Sequence, residues 1–280
     1  MIAFEEFRDA PQELWAFVKF VSETLGYTER GKGIVNSYSE EEIEDVCAEY
    51  DINASRTLIR DAALYSEMRA DLLNNYISEQ LMDLETAREE FSDLEHVHRL
   101  NSYLCKLPLN KQKGEMKQIA FFTALINIIA ERTIRNITHN RNELGFDDDP
   151  RSLTYFVDRN NRIIGASSRR FDGAYPSTIN PLLVWEIKEY YYNKSFGSRV
   201  ADGVYETQLD GFEFKELRER TGFDVYHVLF IDSYNTWWIQ GKSYLCRLVD
   251  AVNSGVVDEV IVGREVFTRW PELLREIILG

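Results

Sequence analysis

Asp172, Glu186 and Lys188 are the residues whose types and spacing could do chemistry, with thirteen residues between the two acids and one between Glu186 and Lys188. Asp and Glu present hard carboxylate oxygens. These suit Mg²⁺, which binds through one or two carboxylates and keeps several positions for water and phosphate. A metal held this way polarises a phosphoryl oxygen and lowers the pKa of its bound water. Lys188 adds a compact positive charge, able to orient an attacking water or offset charge in the transition state. The backbone carbonyl of Ile187 is a natural further ligand. Together these groups match the needs of phosphodiester hydrolysis.

The strand that must position them runs from Leu182 to Tyr191. Alternate residues of a strand share a face, so Leu183, Trp185 and Ile187 form an apolar side suited to a core. Val184, Glu186, Lys188 and Tyr190 share the other. An acid and a base on a half-open strand face are costly unless they act together. The competing reading makes Glu186 and Lys188 a plain ion pair on a sheet edge, with Asp172-Gly173 only a turn. Trp185 argues against an edge, because so large a residue aimed at the opposite face implies a buried, central strand.

Around that strand the chain divides in two. Up to about residue 145 the periodicity is helical, with a helix after Pro11 that turns Leu14, Phe17, Val18 and Val21 to one face. Ser39-Glu40-Glu41-Glu42 forms an S-x-x-E capping box before Ile43 and Val46. Residues 55–82 read as a long helix with Leu58, Leu64, Met68, Leu72, Tyr76 and Leu81 on its apolar face. Residues 84–104 and 112–138 read as two more. After the acidic loop ending at Pro150 the period shortens. Strands are expected over 154–157, 162–170 and 182–191, then a helix over 196–220. A strand over 224–231, a helix over 243–253, a strand over 256–262 and a closing helix over 271–279 complete the pattern.

The pattern Asp172-x13-Glu186-x-Lys188, on a hairpin and strand followed by a helix and another strand, resembles the PD-(D/E)XK nuclease superfamily. That superfamily includes type II restriction enzymes and nucleases of phage defence. The likeness spans roughly residues 112–262 and departs from the motif at Phe171, where the family's namesake proline would stand. The resemblance implies a mixed α+β/α/β protein: a helical recognition or partner-binding region over 1–111, then a restriction endonuclease-like core over 112–280. That core would be a central mixed β-sheet flanked by helices. Asp172 and Glu186 would be metal ligands and Lys188 catalytic, with Mg²⁺ as cofactor and Mn²⁺ able to substitute. A carboxylate from the helix before the hairpin often joins them, which nominates Glu131, with Glu115 behind it. From the helix after the catalytic strand, Arg199 or Gln208 could touch substrate phosphate, against a solvated or capping role for both. The implied function is an endonuclease hydrolysing DNA, in a restriction or defence setting. The partner would be a second copy or a helicase or ATPase. The alternative is a nuclease-fold binding or regulatory subunit that cuts little by itself.

The totals constrain this reading. The 280 residues are 44% apolar and 28% charged, the composition of a folded domain, and no stretch is apolar enough to span a bilayer. Three scattered cysteines, none in a C-x-x-C pair, point to reduced thiols and a cytoplasmic location. A net charge of −15 opposes indiscriminate binding to polyanions. It favours a nuclease whose affinity for DNA is supplied in part by a partner. Helices on either side of Asp51-Ile52-Asn53, with Arg56 and Arg60 opening the second, are compatible with a helix-turn-helix, and equally with plain helix packing. No P-loop is present, so no ATP site of that kind is expected.

Overall fold

The computed structural model describes residues 1–29, 33–111, 117–192 and 198–280, and side chains in the last segment from residue 200. The first three helices are α1 (Gln12–Leu25), α2 (Glu40–Glu49) and α3 (Arg56–Asp71), the last continuing through a π-helical stretch, Leu72–Ile77, to Gln80. The expected capping box starts α2: Ser39 Oγ accepts from the Glu42 N–H at 3.2 Å, and Glu42 Oε2 accepts from the Ser39 N–H at 2.8 Å. These helices share a core of Phe7, Leu14, Phe17, Ile43, Ile59 and Tyr65. The buried face of α3 differs from the expected one. Ile59, Ala62, Tyr65 and Arg69 are inside, whereas Leu64 is exposed. Arg69 explains the shift: it is fully buried because its guanidinium pairs with Asp250 at 3.0 Å, and Tyr65 donates to the same carboxylate at 2.7 Å. A charged side chain buried with its partner moved the whole stripe by one residue.

The rest of the chain is a mixed α/β unit. Helices α4 (Leu84–Leu100) and α5 (Phe121–Thr138) precede a separate two-stranded hairpin, β1 (Tyr155–Val157) and β2 (Ile163–Ala166). The main sheet has four strands in the order β3 (Gly173–Tyr175), β4 (Leu183–Glu189), β5 (Tyr226–Asp232), β6 (Glu259–Val262). The β3–β4 pair is antiparallel, and β4–β5 and β5–β6 are parallel. Parallel neighbours need long crossovers, supplied here by α6 (Ser198–Thr221) and α7 (Lys242–Asn253); α8 (Arg269–Leu279) closes the chain. Leu183, Trp185, Val228, Phe230 and Ile261 pack on α4, α5 and α8 on one face. Leu229, Ile231, Val260 and Val262 pack on α6, α7 and the end of α3 on the other. Helix α4 therefore belongs to the sheet's core, although it falls inside the expected helical region 1–111.

The expected return strand over 162–170 is present in shorter form as β2, and β3 is a further strand not expected from the sequence. The hairpin ends at Ala166, and Gly173-Ala174-Tyr175 pairs with β4, in the register Gly173↔Trp185. Its composition reads as a turn, so only the pairing reveals it. Glycine is needed there: a Cβ at residue 173 would lie 1.9 Å from Trp185 Cε2. Trp185 itself is fully buried and meets Trp270 edge-on at 5.3 Å, which makes β4 a central strand, as its sequence predicts. The last residue of β4 has a structural use. Ala120 offers no side chain to cap α5, and Glu189 Oε2 accepts from Thr123 N at 3.0 Å and Thr123 Oγ1 at 3.1 Å. A carboxylate at a helix N-terminus is favoured by the helix dipole, while burial pushes its pKa up to about 7.

Candidate active site

The alternation of β4 turns Glu186 and Lys188 towards α6, both less than a tenth exposed. Lys188 Nζ donates to Glu186 Oε1 at 2.8 Å and to Glu206 Oε2, on α6, at 3.1 Å. Its stem needs the space left by Gly203, since a Cβ there would come within 3.1 Å of Lys188 Cε and of the Tyr190 hydroxyl. Arg169, in the segment before β3, approaches Glu186 Oε1 at 3.2 Å and grips Asp210 of α6, with Nε 3.0 Å from each carboxylate oxygen. The charges alternate along a chain: Asp210, Arg169, Glu186, Lys188, Glu206.

Asp172 joins from the other side. Its N–H donates to Trp185 O at 3.0 Å, and its Oδ2 accepts from Ile187 N at 2.8 Å. The N–H and C=O of one strand residue leave on the same edge, so the Ile187 carbonyl is also on the Asp172 side. Burial, and then the Glu186 charge, raise the Asp172 carboxyl to about 7. Asp210 is raised to about 6, burial outweighing Arg169. Burial disfavours the Lys188 charge, but Glu186 and its hydrogen bond more than offset this, so the ammonium is held above its ordinary range. Lys188 is therefore a fixed cation and not a base.

This donor set can accept a hard divalent cation. Asp172 Oδ1 and Glu186 Oε2 take no hydrogen bond or ion pair among the described residues, while Oδ2 and Oε1 are engaged. Among the described residues four carboxylates, Asp172, Glu186, Glu206 and Asp210, face Arg169 and Lys188, with Lys111 at the cavity wall, so negative charge is in excess. Two neighbouring carboxylates, one with a raised pKa, resist joint ionisation without a positive charge between them. No group of three or more His, Cys, Asp or Glu side chains is arranged for a metal among the described residues. A Mg²⁺ site here would rest on two side chains, a backbone oxygen and water. The cluster opens into a cavity of about 290 Å³ lined by Pro108, Lys111 and Thr123 as well as Asp172, Glu186 and Lys188. Asp172 also borders a neighbouring cavity of about 780 Å³, with Lys106, Arg151, Arg169 and Arg170 on its wall. Lys106 and Arg151 are paired to Asp149. Lys111 and Arg170 have no ion pair among the described residues.

Asp172, Glu186, Ile187 and Lys188 come together as the spacing predicts; the other expected members do not join them. Glu131 is fully buried elsewhere, accepting from Leu104 N at 2.8 Å and Cys105 N at 2.7 Å and pairing with Arg135 one turn on. It holds a loop in place and has no free oxygen for a metal. Gln208 lies on the opposite face of α6, in a cleft shared with Trp15 of α1. Glu115 and the side chain of Arg199 lie outside the described residues. Arg169, Gly203, Glu206 and Asp210 complete the cluster, none of them among the expected site residues, although the helix of Glu206 and Asp210 was expected to pack beside the site. The available signal was the one-turn spacing of Glu206 and Asp210 on the helix after the acid–base strand, with Gly203 one turn before. Arg169 had none. His227 of β5 borders the cluster's apolar side, its ring 5.7 Å from Phe171 and 5.4 Å from Phe214, with no hydrogen bond to either nitrogen among the described residues. Burial drives its pKa down to about 3.

Fold and site define a mixed α/β protein whose central strand carries a buried, net-acidic cluster opening to a cavity. Residues 82–277 match the family described as Domain of unknown function (DUF7687), more than two thirds of the chain, and the chain belongs to that family. Residues 1–76 match a second, Domain of unknown function (DUF7690). The two matches meet between residues 76 and 82, where α3 gives way to the sheet-bearing unit. No curated protein and no solved structure matches the chain. All three cysteines are buried and unpaired, and among the described residues no helix is long and apolar enough to cross a membrane.

Proposed function

We propose that this chain is a metal-dependent nuclease that hydrolyses DNA phosphodiester bonds at Asp172, Glu186 and Lys188, on a core of the PD-(D/E)XK type. One observation carries the reading: two carboxylates, Asp172 and Glu186, each with an oxygen that has no partner among the described residues, converge beside a buried lysine on a central strand. Mg²⁺, or Mn²⁺ in its place, held by those carboxylates and the Ile187 carbonyl would supply a polarised phosphate and a more acidic bound water. Lys188 orients that water or balances charge on the phosphate, and Glu186 and Glu206 fix where its ammonium stands. Arg170 and Lys111, with no ion pair among the described residues, would meet backbone phosphates at the rim.

The net charge of −15 supports a restriction or defence nuclease that works with a helicase or ATPase partner, since so acidic a chain draws little DNA to itself, while a stand-alone restriction enzyme would be a homodimer. A second reading has its own support. Arg169 and Lys188 already neutralise Glu186, so the cluster is also coherent as the fixed core of a regulatory subunit. Nicking of supercoiled plasmid in Mg²⁺, Mn²⁺ or EDTA separates the two, comparing wild type with Glu186→Ala and Lys188→Ala. Cutting that needs metal and is lost in both variants is expected. Metal-dependent cutting that survives both sinks the site, and no cutting of DNA or RNA under any condition, with or without partner, favours the regulatory subunit.

A further inference from the structure

A cleft of about 680 Å³ lies between α1 on one side and α6 and α7 on the other, apart from the Glu186 cluster. It spans the two family regions and lies on the face of α6 opposite the Glu186 cluster. Three observations define its chemistry. Aromatic side chains stand open in it: Tyr205 is 51% and Phe212 55% exposed, and Trp15 is half-buried. The two acids that line it are already neutralised, Glu23 by Arg247 at 2.9 Å and Asp250 by Arg69 at 3.0 Å. Its two lysines, Lys19 on α1 and Lys215 on α6, are exposed and have no ion pair among the described residues.

A chain of charge −15 thus keeps an uncompensated positive pair facing open aromatic surface. Exposed apolar rings are costly in water unless something covers them, and two unpaired ammonium groups attract an anion. Arg247, paired with Glu23, presents its planar guanidinium 5.4 Å from the Tyr27 ring and 4.9 Å from the Tyr244 ring. The volume falls within the usual range for small-molecule sites. A ligand that satisfies all of this has a flat aromatic ring and a phosphate.

We propose that the cleft between α1, α6 and α7 binds a free nucleotide, its base against Trp15, Tyr205 and Phe212 and its phosphate between Lys19 and Lys215. Ring stacking accepts any base, so the site reads the nucleotide class before the base. This assignment does not depend on cleavage at Glu186.

Calorimetric titration of the full chain in EDTA tests it, with AMP, GMP, UMP and ATP as probes and adenosine and inorganic phosphate as half-ligands. Saturable binding of at least one nucleotide is expected, and each half-ligand should bind at least tenfold more weakly. The double variant Lys19→Glu/Lys215→Glu should weaken binding at least tenfold, as should Phe212→Ala. All three positions are exposed, and a thermal melt verifies that each variant stays folded. Lys188→Met should bind as wild type does. No saturation by any nucleotide at millimolar concentration overturns the proposal, and so does an affinity that the lysine reversals leave unchanged. Binding of a single-stranded oligonucleotide but of no mononucleotide overturns it in favour of a strand groove.

Discussion

Replacing Asp172 by Asn should stabilise the metal-free protein, an outcome a purely structural ion cluster would not give. The wild-type carboxyl has a folded pKa of about 7 against 3.8 when unfolded. The folded state therefore binds the proton more tightly, and the stability this confers below pH 4 is lost as pH rises through 7. Three pKa units at 1.36 kcal/mol each set a ceiling of about 4 kcal/mol lost at pH 8. Asp172 keeps some contact with solvent, so about half of that, roughly 2 kcal/mol, is the reasonable expectation. Asn keeps an oxygen for the Ile187 N–H and removes the charge beside Glu186. Urea melts in EDTA should show a gain of about 2 kcal/mol at pH 8, or about 4 °C in Tm for a chain of this length, falling to less than half at pH 5. Mg²⁺ or Mn²⁺ should then raise the melting point of wild type but not of the variant. A loss of stability at pH 8, or a gain that does not change between pH 5 and 8, refutes the reasoning.

His227 should act with the opposite sign. Its folded pKa of about 3 against 6.5 means that its contribution is intact above pH 6.5 and drains away as pH falls towards 3. Going from pH 8 to pH 5 should cost wild type about 2 kcal/mol at this position, a loss absent from His227→Phe; parallel urea-stability profiles for the two proteins would rule this out. Gly203→Ala removes the space around the Lys188 stem, while alanine favours the helix by up to about 1 kcal/mol. Stability should change little, yet any metal-dependent nicking should fall about tenfold or more as the ammonium is displaced; unchanged nicking would show that Lys188 has room to spare.

Legibility in the sequence followed how local each signal was. The α2 capping box and the β4 alternation depend on neighbours within a few residues, and both are present as read. Glu186 and Lys188 were placed by that alternation alone, and Asp172 by its distance upstream. Strand β3 was hidden because Gly-Ala-Tyr-Pro has turn chemistry, and only pairing with Trp185 makes it a strand. The buried stripe of α3 was misread because Arg69 pairs with Asp250, far along the chain. Glu131 failed for the same kind of reason: two backbone N–H groups and Arg135 claim its carboxylate, and none of them can be weighed without the loop at 104–105 in place. Arg169 belongs to the cluster only through Glu186 and Asp210, a contact between segments that periodicity cannot see.

The bond from Thr123 to Glu189 has a consequence for how this family can vary. Strand β4 is anchored at both ends, by Trp185 seated over Gly173 and by Glu189 on the first turn of α5. A shift of one residue along it would turn the acid and the lysine into the apolar core and strip α5 of its cap. Inserted or deleted residues should therefore be rejected between Leu183 and Glu189, and the segment from Tyr175 to Leu183 is held as well, by the bonds of Thr178 and Asn180 to Tyr155 and Val157 of β1. In relatives of this protein, the spacing from tryptophan to capping glutamate should stay at four.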